Sequence, residues 1–414
     1  MPEAGKNRKK TLAELDLAAL RGRRVLVRAD LNVPLDENGS VTDDTRVRAT
    51  LPTLEALASA GARVTVLSHL GRPKGRPDPR FSLRPVAALL DDLLDAPVGF
   101  WDDPAGDGLE DRVDALAAGG VLLVENTRFL PGDEANDPEL ARLWADAADL
   151  FVNDAFGAAH RAHASTTGVA EEVRRRGGLA VSGFLMEREL RFLSDALEEP
   201  ERPFVAVLGG AKISGKIDVI QALLPRVDRL LIGGAMANTF FRALGLEVGA
   251  SLVEEDRVTL ARETLEAAGD RLVLPVDCIV ATELTDEAQA RAIPRDEVEA
   301  QERIGDIGPA SRGVFAKELE HARTIVWNGP MGVFEVPTFQ AGTVTLARAV
   351  AAATERGALT VVGGGDSVAA LEVAGVTNHI THISTGGGAS LELLAGEKLP
   401  GVEALSPASA GAES

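Results

Sequence analysis

Short apolar runs rich in Val, Leu and Ile alternate with Ala/Leu-rich stretches along almost the whole chain, and this rhythm restricts the fold more than any other feature. In the first half the runs are Val25–Val27, Val64–Leu67, Val121–Val124 and Leu150–Val152. In the second half they include Phe204–Leu208, Leu230–Ile232, Arg271–Pro275, Thr324–Val326 and Leu359–Val362. Between them, stretches such as Thr50–Ala60 and Pro138–Ala148 carry apolar residues at helical spacing. Repeated strand–helix–strand units of this kind build parallel sheets covered by helices on both faces. At 414 residues the chain also exceeds what one hydrophobic core usually serves.

The expected fold class is therefore α/β, with two Rossmann-like lobes, each a parallel-sheet α/β/α sandwich, joined by a hinge. Met186–Leu197 reads as a helix, and the charged, proline-punctuated segment Glu198-Glu199-Pro200-Glu201-Arg202-Pro203 follows it. The expected division is 1–184 for the first lobe, 185–203 for the hinge helix and linker, and 204–401 for the second lobe. Residues 72–82 carry Pro73, Pro77 and Pro79, with Pro85 just beyond, and read as an irregular exposed loop. The residues from about Ser406 onward are small and polar and read as frayed.

Composition excludes several classes. A net charge of −20 argues against a nucleic-acid partner, which would need a basic face to displace counterions. No apolar stretch approaches the ~18–20 residues of a spanning helix, and no apolar segment follows the basic start of the chain, so neither a membrane nor a signal peptide is expected. The single cysteine, Cys278, forbids an internal disulfide and a cysteine-based zinc site; a buried, inert thiol is its expected state. These readings point to the cytoplasm.

In open parallel sheets, ligands sit beyond the carboxyl ends of the strands, so the residues following each apolar run carry the most information. In the first half those residues are charged. Val25–Val27 leads into Arg28-Ala29-Asp30-Leu31-Asn32, and Val64–Leu67 into Ser68-His69-Leu70-Gly71-Arg72. Val121–Val124 leads into Glu125-Asn126-Thr127-Arg128, and Leu150–Val152 into Asn153-Asp154, followed by His160-Arg161-Ala162-His163. Arg46 sits just before a helix. An Arg after a strand is ordinarily a solvated surface residue, and Asp30 or Asn32 alone could simply make an Asx turn. His160 and His163 have no third ligand at metal-binding spacing. Four such loops at one sheet edge are different, because guanidinium forks aimed at one point suit a small polyanion.

In the second half, glycine follows the strands. Phe204–Leu208 ends in Gly209-Gly210-Ala211-Lys212-Ile213-Ser214-Gly215-Lys216, and Leu230–Ile232 in Gly233-Gly234. Leu359–Val362 ends in Gly363-Gly364-Gly365-Asp366-Ser367, and Ile380–Ile383 runs into Ser384-Thr385-Gly386-Gly387-Gly388. Glycine admits close approach of a ligand to the backbone, and a helix beginning there turns free N–H groups toward an anion. A single Gly-Gly pair is usually only a tight turn; four in one lobe favour a nucleotide floor. Gly210 to Lys216 fits G-x-x-x-x-G-K, but Ile217 stands where a P-loop requires a magnesium-binding hydroxyl. Asp366 suits either a magnesium carboxylate or a helix cap, a role that Ser367 also fits. Asn328-Gly329-Pro330-Met331-Gly332 makes a further strand-end loop, followed by Glu335, which suits a ribose hydroxyl although a lone exposed Glu is ordinarily only solvated.

These segments together resemble the phosphoglycerate kinase family from about Asp30 to Leu394. The matching segments are RADLNVP (28–34), SHLGRP (68–73), NDAFGAAHRAH (153–163), GGAK (209–212), WNGPMGVFE (327–335), GGGDS (363–367) and STGGGASLELL (384–394). The resemblance implies reversible phosphoryl transfer from 1,3-bisphosphoglycerate to ADP, giving 3-phosphoglycerate and ATP; nothing in the sequence suggests an obligate interface, so a monomer is expected. It implies that Asp30, Asn32, Arg46, His69, Arg72, Arg128 and Arg161, with Leu31, Leu70 and Gly71 beside them, bind the phosphoglycerate. Lys212, Lys216, Gly233, Gly234, Gly308, Asn328, Glu335 and Gly364–Ser367 would take the nucleotide, with Asp366 on Mg2+. Catalysis would fall to Arg46, Lys212 and the amides of Gly365 and Gly388. A terminal segment, 402–414, would pack on the first lobe. Ala158 stands where the family often has Thr, and no charged site residue is missing. Two other readings stay open: a nicotinamide dehydrogenase, which lacks its G-x-G-x-x-G after a strand, and a catalytically silent nucleotide-binding protein of the same fold.

Overall fold

The structure, a computed structural model, describes residues 8–105 and 108–408. It divides into two compact units: one holds the chain up to Leu190 together with the segment from Lys398 onward, and the other spans Arg191–Glu397. The division falls inside a single helix, Phe184–Glu198.

The first unit is built on strands Arg24–Ala29 (β1), Arg63–Leu67 (β2), Val98–Trp101 (β3), Val121–Val124 (β4), Leu150–Asp154 (β5) and Leu179–Ser182 (β6). All pair in parallel, in the order β3-β4-β2-β1-β5-β6. Side chains alternate across a strand, and here both faces are buried. Val25, Val27, Val64, Val66, Val121 and Leu123 enter one core, whereas Leu26, Leu67, Leu122 and Val124 enter the other. Helices on both faces therefore explain why these strands read as unbroken apolar runs rather than as alternating ones. From β1 the chain winds outward through β2 and later crosses to β5, so β1 and β5 flank the point where the winding reverses. The carboxyl ends of β4, β2, β1 and β5 lie side by side.

The edge of β6 is covered by the chain's own ends. Thr11 bridges to Ser182, Ser182 N donates to Lys10 O at 3.0 Å, and Ser406 N donates to Ala180 O at 2.7 Å. Pairing continues through Lys9–Pro407 and Ala408 N to Arg8 O. Residues 406–408 are thus paired rather than frayed; Ser406 is buried, and its backbone groups find partners on Lys10 and Ala180. Asn153 Nδ2 and Arg174 Nη1 hold Gly401 O and Ala404 O of the same segment. Of the stretch 402–414, residues 409–414 lie outside the described residues.

The second unit contains Phe204–Leu208 (β7), Arg229–Ile232 (β8), Leu272–Val273 (β9), Asp277–Ala281 (β10), Arg291–Pro294 (β11), Arg303–Ile307 (β12), Thr324–Asn328 (β13), Leu359–Gly363 (β14) and His382–Ile383 (β15). Its main sheet has the order β15-β14-β13-β7-β8-β9, all parallel. Counted from β7 this is the doubly wound order 3-2-1-4-5-6, whose crevice falls between the first and fourth strands, here β7 and β13. A separate antiparallel sheet, β11-β10-β12, was not anticipated from the sequence.

Two local expectations shift. The run Arg271–Pro275 shortens to β9, since Arg271 closes a tight turn and spends its guanidinium on the carbonyls of Leu224 and Ala267. The first helix starts at Thr45, five residues ahead of the expected Thr50, because the Asp43 carboxylate accepts from Thr45 N at 2.9 Å and organises the turn. Arg46 is accordingly inside the first helical turn rather than before it.

Candidate active site

In the first unit, the charged loops at the ends of β4, β2, β1 and β5 meet in one hydrogen-bonded group. Asp30, nearly buried, takes both of its oxygens to Arg46 Nη1 at 3.1 and 3.0 Å. Asn32 Oδ1 accepts from Gly71 N at 2.8 Å, Gly71 O accepts from Arg128 Nη1 at 3.0 Å, and Leu31 N donates to Ser68 Oγ. Asn126 Nδ2 holds Leu70 O at 2.7 Å. These bonds fasten the loop after β2 between the loops after β1 and β4. Arg161 donates to His160 Nε2 at 3.1 Å, and its charge is close enough to work against that of Arg128. Arg72 is exposed and makes no hydrogen bond or ion pair among the described residues.

Beneath them sits a residue the sequence reading quoted without assigning a role. Arg28, on β1, is fully buried; Nη2 lies 2.9 Å from His69 Nδ1, Nε donates to Ser165 Oγ at 3.1 Å, and Nη1 donates to Ala29 O. Ser165 N in turn donates to Asp133 Oδ1 at 3.0 Å. Burial, then the charges of Arg28, Arg128 and Arg46, hold His69 well below the ordinary histidine pKa. His69 is therefore a neutral imidazole at pH 7, and the positive charge belongs to the guanidiniums. In a strongly acidic chain, the cluster gathers guanidiniums whose forks suit bidentate contact with an anion.

In the second unit, two adjoining cavities of about 260 and 280 Å3 open along the crevice beside β7 and β13. They share Gly210, Ala211, Pro330 and Asp366 as walls. The first is mainly apolar, closed by Gly234, Ala235, Asn238, Cys278, residues 304–307 of β12 and the 330–333 loop, with Glu335 at its margin. A side chain is impossible at Gly234: its φ is +68°, and an added Cβ would stand 2.5 Å from Gly210 N. Cys278 is buried, and burial pushes its thiol up to about 12. Asp306, in the same wall, is nearly fully buried and pushed up to about 7, although it accepts from Gly342 N at 2.6 Å and Ile307 N at 2.8 Å.

The second cavity is the more polar of the two, lined by Lys212, Lys216, Asn328, Gly364, Gly365, Asp366 and Ser367. Lys216 Nζ donates to Asn328 O at 2.8 Å and Asn328 Oδ1 at 2.6 Å. Burial lowers its pKa to about 8 despite the opposing pull of Asp366. Ser367 Oγ accepts from Gly329 N at 2.7 Å and so fixes the turn after β13. Helix Gly365–Ala374 begins at this cavity with its free amide groups and positive dipole end. Asp366 lies within its first turn, and Gly364 takes the cap position.

Two expected contacts stand behind the walls rather than in them: Gly233 backs onto Met331, and Gly308 caps helix Pro309–Glu320 with no room beside Asp277. Gly388, the second residue of helix Gly387–Leu394, is exposed and lines neither cavity. Conversely, β12 supplies a whole wall of the apolar cavity that sequence reasoning missed. Its only signal was Asp306-Ile307-Gly308-Pro309, a strand end running into a proline-started helix.

Among the described residues no group of three or more His, Cys, Asp or Glu is arranged to hold a metal ion. One exposed carboxylate, Asp366, shared by both cavities, fits a magnesium ion that arrives on a phosphate chain, since Mg2+ commonly takes one or two protein carboxylates plus phosphate oxygens. No helix among the described residues is long and apolar enough to cross a membrane.

With a cationic cluster on one parallel-sheet unit and a glycine-lined crevice on the other, the molecule falls in the class of two-unit α/β phosphotransferases. The sequence model of phosphoglycerate kinase matches residues 15–397. The chain is 53% identical over 405 residues to the phosphoglycerate kinase of Chloroflexus aggregans, covering 97% of this chain and 99% of the relative. It is 52% identical over 401 residues to that of Chlorobium chlorochromatii, with 96% and 99% covered. Among solved structures it is similar to phosphoglycerate kinase from Coxiella burnetii (TM-score 0.84, 43% identity, 96% of this chain and 98% of that one). The enzyme from Pyrococcus horikoshii gives 0.82 and 34%, with the same shares covered. The chain belongs to the phosphoglycerate kinase family.

Proposed function

We propose that this protein catalyses the reversible, Mg-dependent transfer of a phosphoryl group from 1,3-bisphosphoglycerate to ADP, yielding 3-phosphoglycerate and ATP, a step of glycolysis and gluconeogenesis. The observation that carries the reading is one chain holding both a guanidinium cluster at the ends of β4, β2, β1 and β5 and a glycine- and lysine-lined cavity beside β7 and β13. In it, Arg72, Arg128 and Arg161 take the anionic groups of phosphoglycerate, Asp30 and Asn32 take its hydroxyl and orient Arg46, and neutral His69 donates or accepts without adding charge.

On the nucleotide side, the apolar cavity receives the base, Glu335 the ribose, and Lys216, Ser367 and the amides of Gly364 and Gly365 the phosphates. A magnesium ion held by Asp366 would neutralise charge on the phosphate chain. In the direction of ATP use, a carboxylate oxygen of 3-phosphoglycerate forms a bond to the terminal phosphorus as the bridging P–O bond to ADP breaks. No proton moves, so the protein needs neither an acid–base pair nor a nucleophile; positioning and charge stabilisation suffice. Arg46 and Lys212 follow the oxygens of the migrating group, and the amides of Gly365 and Gly388 share its charge.

The acceptor cluster and the nucleotide cavity belong to different units, so the reading includes hinge closure within 185–203, with the segment after Gly388 taking part. It further includes a cytoplasmic monomer without nucleic-acid or membrane partners. A coupled assay with 3-phosphoglycerate, ATP and Mg2+ tests the reading. ADP release that depends on 3-phosphoglycerate supports it, and nucleotide binding without turnover would favour the silent binding protein instead.

A further inference from the structure

The lysine loop has a brace outside both cavities, and we propose that Glu254 is a positioning residue for phosphoryl transfer, holding the 212–216 loop in place through Ser214. The inference rests on the role given to Lys212 above.

Lys212 is exposed and makes no hydrogen bond or ion pair among the described residues. Apart from the nearby charge of Glu254, nothing therefore aims its ammonium except the position of its own backbone. On one side of it the loop is pinned by Ile213, which is fully buried. Lys216 holds the far end of the loop to Asn328, and a second polar restraint comes from forty residues away: Glu254 Oε2 accepts from Ser214 N at 3.1 Å, and Oε1 accepts from Ser214 Oγ. Partial burial pulls this carboxyl up, but the bonds from Ser214 and Ile213 outweigh it and hold the pKa below the ordinary glutamate value, with the Lys212 charge adding to the effect. Hydrogen bonds to an ionised acceptor are the stronger kind.

Glu254 is itself anchored. Its N–H donates to Thr239 Oγ1 at 3.2 Å, and Leu252 O accepts from Asn238 Nδ2 at 3.1 Å. Asn238 and Thr239 are both buried on helix Met236–Ala243, which starts just after Gly233-Gly234. The brace thus ties the lysine loop to the floor of the nucleotide cavity. Neither Ser214 nor Glu254 lines a cavity, so the pair acts on the reaction only through the loop.

The test is a set of variants read by steady-state kinetics and thermal unfolding. Displacing a catalytic group by about an ångström can cost up to ~100-fold, so Glu254→Ala is expected to lower kcat roughly 10-fold. Its KM for ADP should stay within about 2-fold, since an interaction used only in the transition state lowers kcat alone. Glu254→Gln keeps an acceptor for Ser214 N and offers a donor to Ser214 Oγ, and should recover most of the rate. In a Lys212→Ala background, Glu254→Ala should cost nothing further, because residues acting as one unit are not additive. Should Glu254→Ala fold poorly, Ser214→Ala removes one of the two bonds with no charge change, and should lower kcat in the wild type but not beside Lys212→Ala. An unchanged kcat in Glu254→Ala, or an equal loss with and without Lys212, would overturn the brace while leaving the function intact. Near-normal turnover in Lys212→Ala alone would overturn the role of that lysine, and the brace with it.

Discussion

With Lys216 on the ADP phosphates, as proposed, the affinity for ADP should depend on pH in a calculable way. An ammonium has three donors, and two of those on Lys216 are spent on Asn328 O and Oδ1, leaving one N–H and the positive charge for a phosphate oxygen. In the free protein, burial sets its pKa to about 8. A bound diphosphate restores the ammonium, so binding above pH 8 must take up a proton. The charged fraction is about nine tenths at pH 7 and about one eleventh at pH 9, which weakens ADP binding by ~10-fold, or ~1.4 kcal/mol, over that interval. The phosphate itself is already ionised at pH 7, with a last pKa of about 6, so the nucleotide does not supply the slope. Calorimetric titration of metal-free ADP at pH 7, 8 and 9, in buffers of different ionisation enthalpy, reads both the affinity and the proton. At pH 8 roughly half a proton should be taken up per ADP. Lys216→Gln should bind weakly and without this slope. A flat affinity from pH 7 to 9 in the wild type, or the same slope in Lys216→Gln, would refute the argument.

Other expectations follow from the same geometry. Lys212→Ala should lower turnover by roughly 10²–10³ and leave ADP affinity, measured by calorimetry, largely intact. Arg128→Lys keeps the charge but loses the planar fork, and should weaken 3-phosphoglycerate binding by roughly 10-fold; unchanged affinity would count against a bidentate contact. Asp366→Asn should raise the magnesium concentration needed for half-maximal rate while metal-free ADP binds no worse, and an unchanged magnesium requirement would remove Asp366 from the metal.

What could be read from the sequence was whatever follows a strand within a few residues. Arg128, His69 and Gly364–Ser367 stand directly after apolar runs, so strand and site announce each other. Arg28 escaped because it lies inside the strand, where an arginine looks like a boundary residue; only the neighbouring Ser165 and His69, far along the chain, make it a buried part of the site. Strand β12 escaped for a related reason. Its five residues include Arg303 and the buried Asp306, and a carboxylate in a wall spoils the apolar pattern that marks strands elsewhere. Strand β3 is short and half-buried along its whole length, with no alternation to detect. The brace at Glu254 has no local signature at all, since its partner Ser214 is set by tertiary packing.

Residues 8–11 and 406–408 finish the first sheet together, and this has a bearing on synthesis. Ala180 and Ser406, which bond to each other, are 226 positions apart. A nascent chain that has already released β6 from the ribosome therefore waits for the entire second unit to be translated before that strand's free rim is sealed. Unpaired rims are templates for wrong association. Residues 406–408 act as a closing clasp, and the first unit reaches its finished form only after the second has been made.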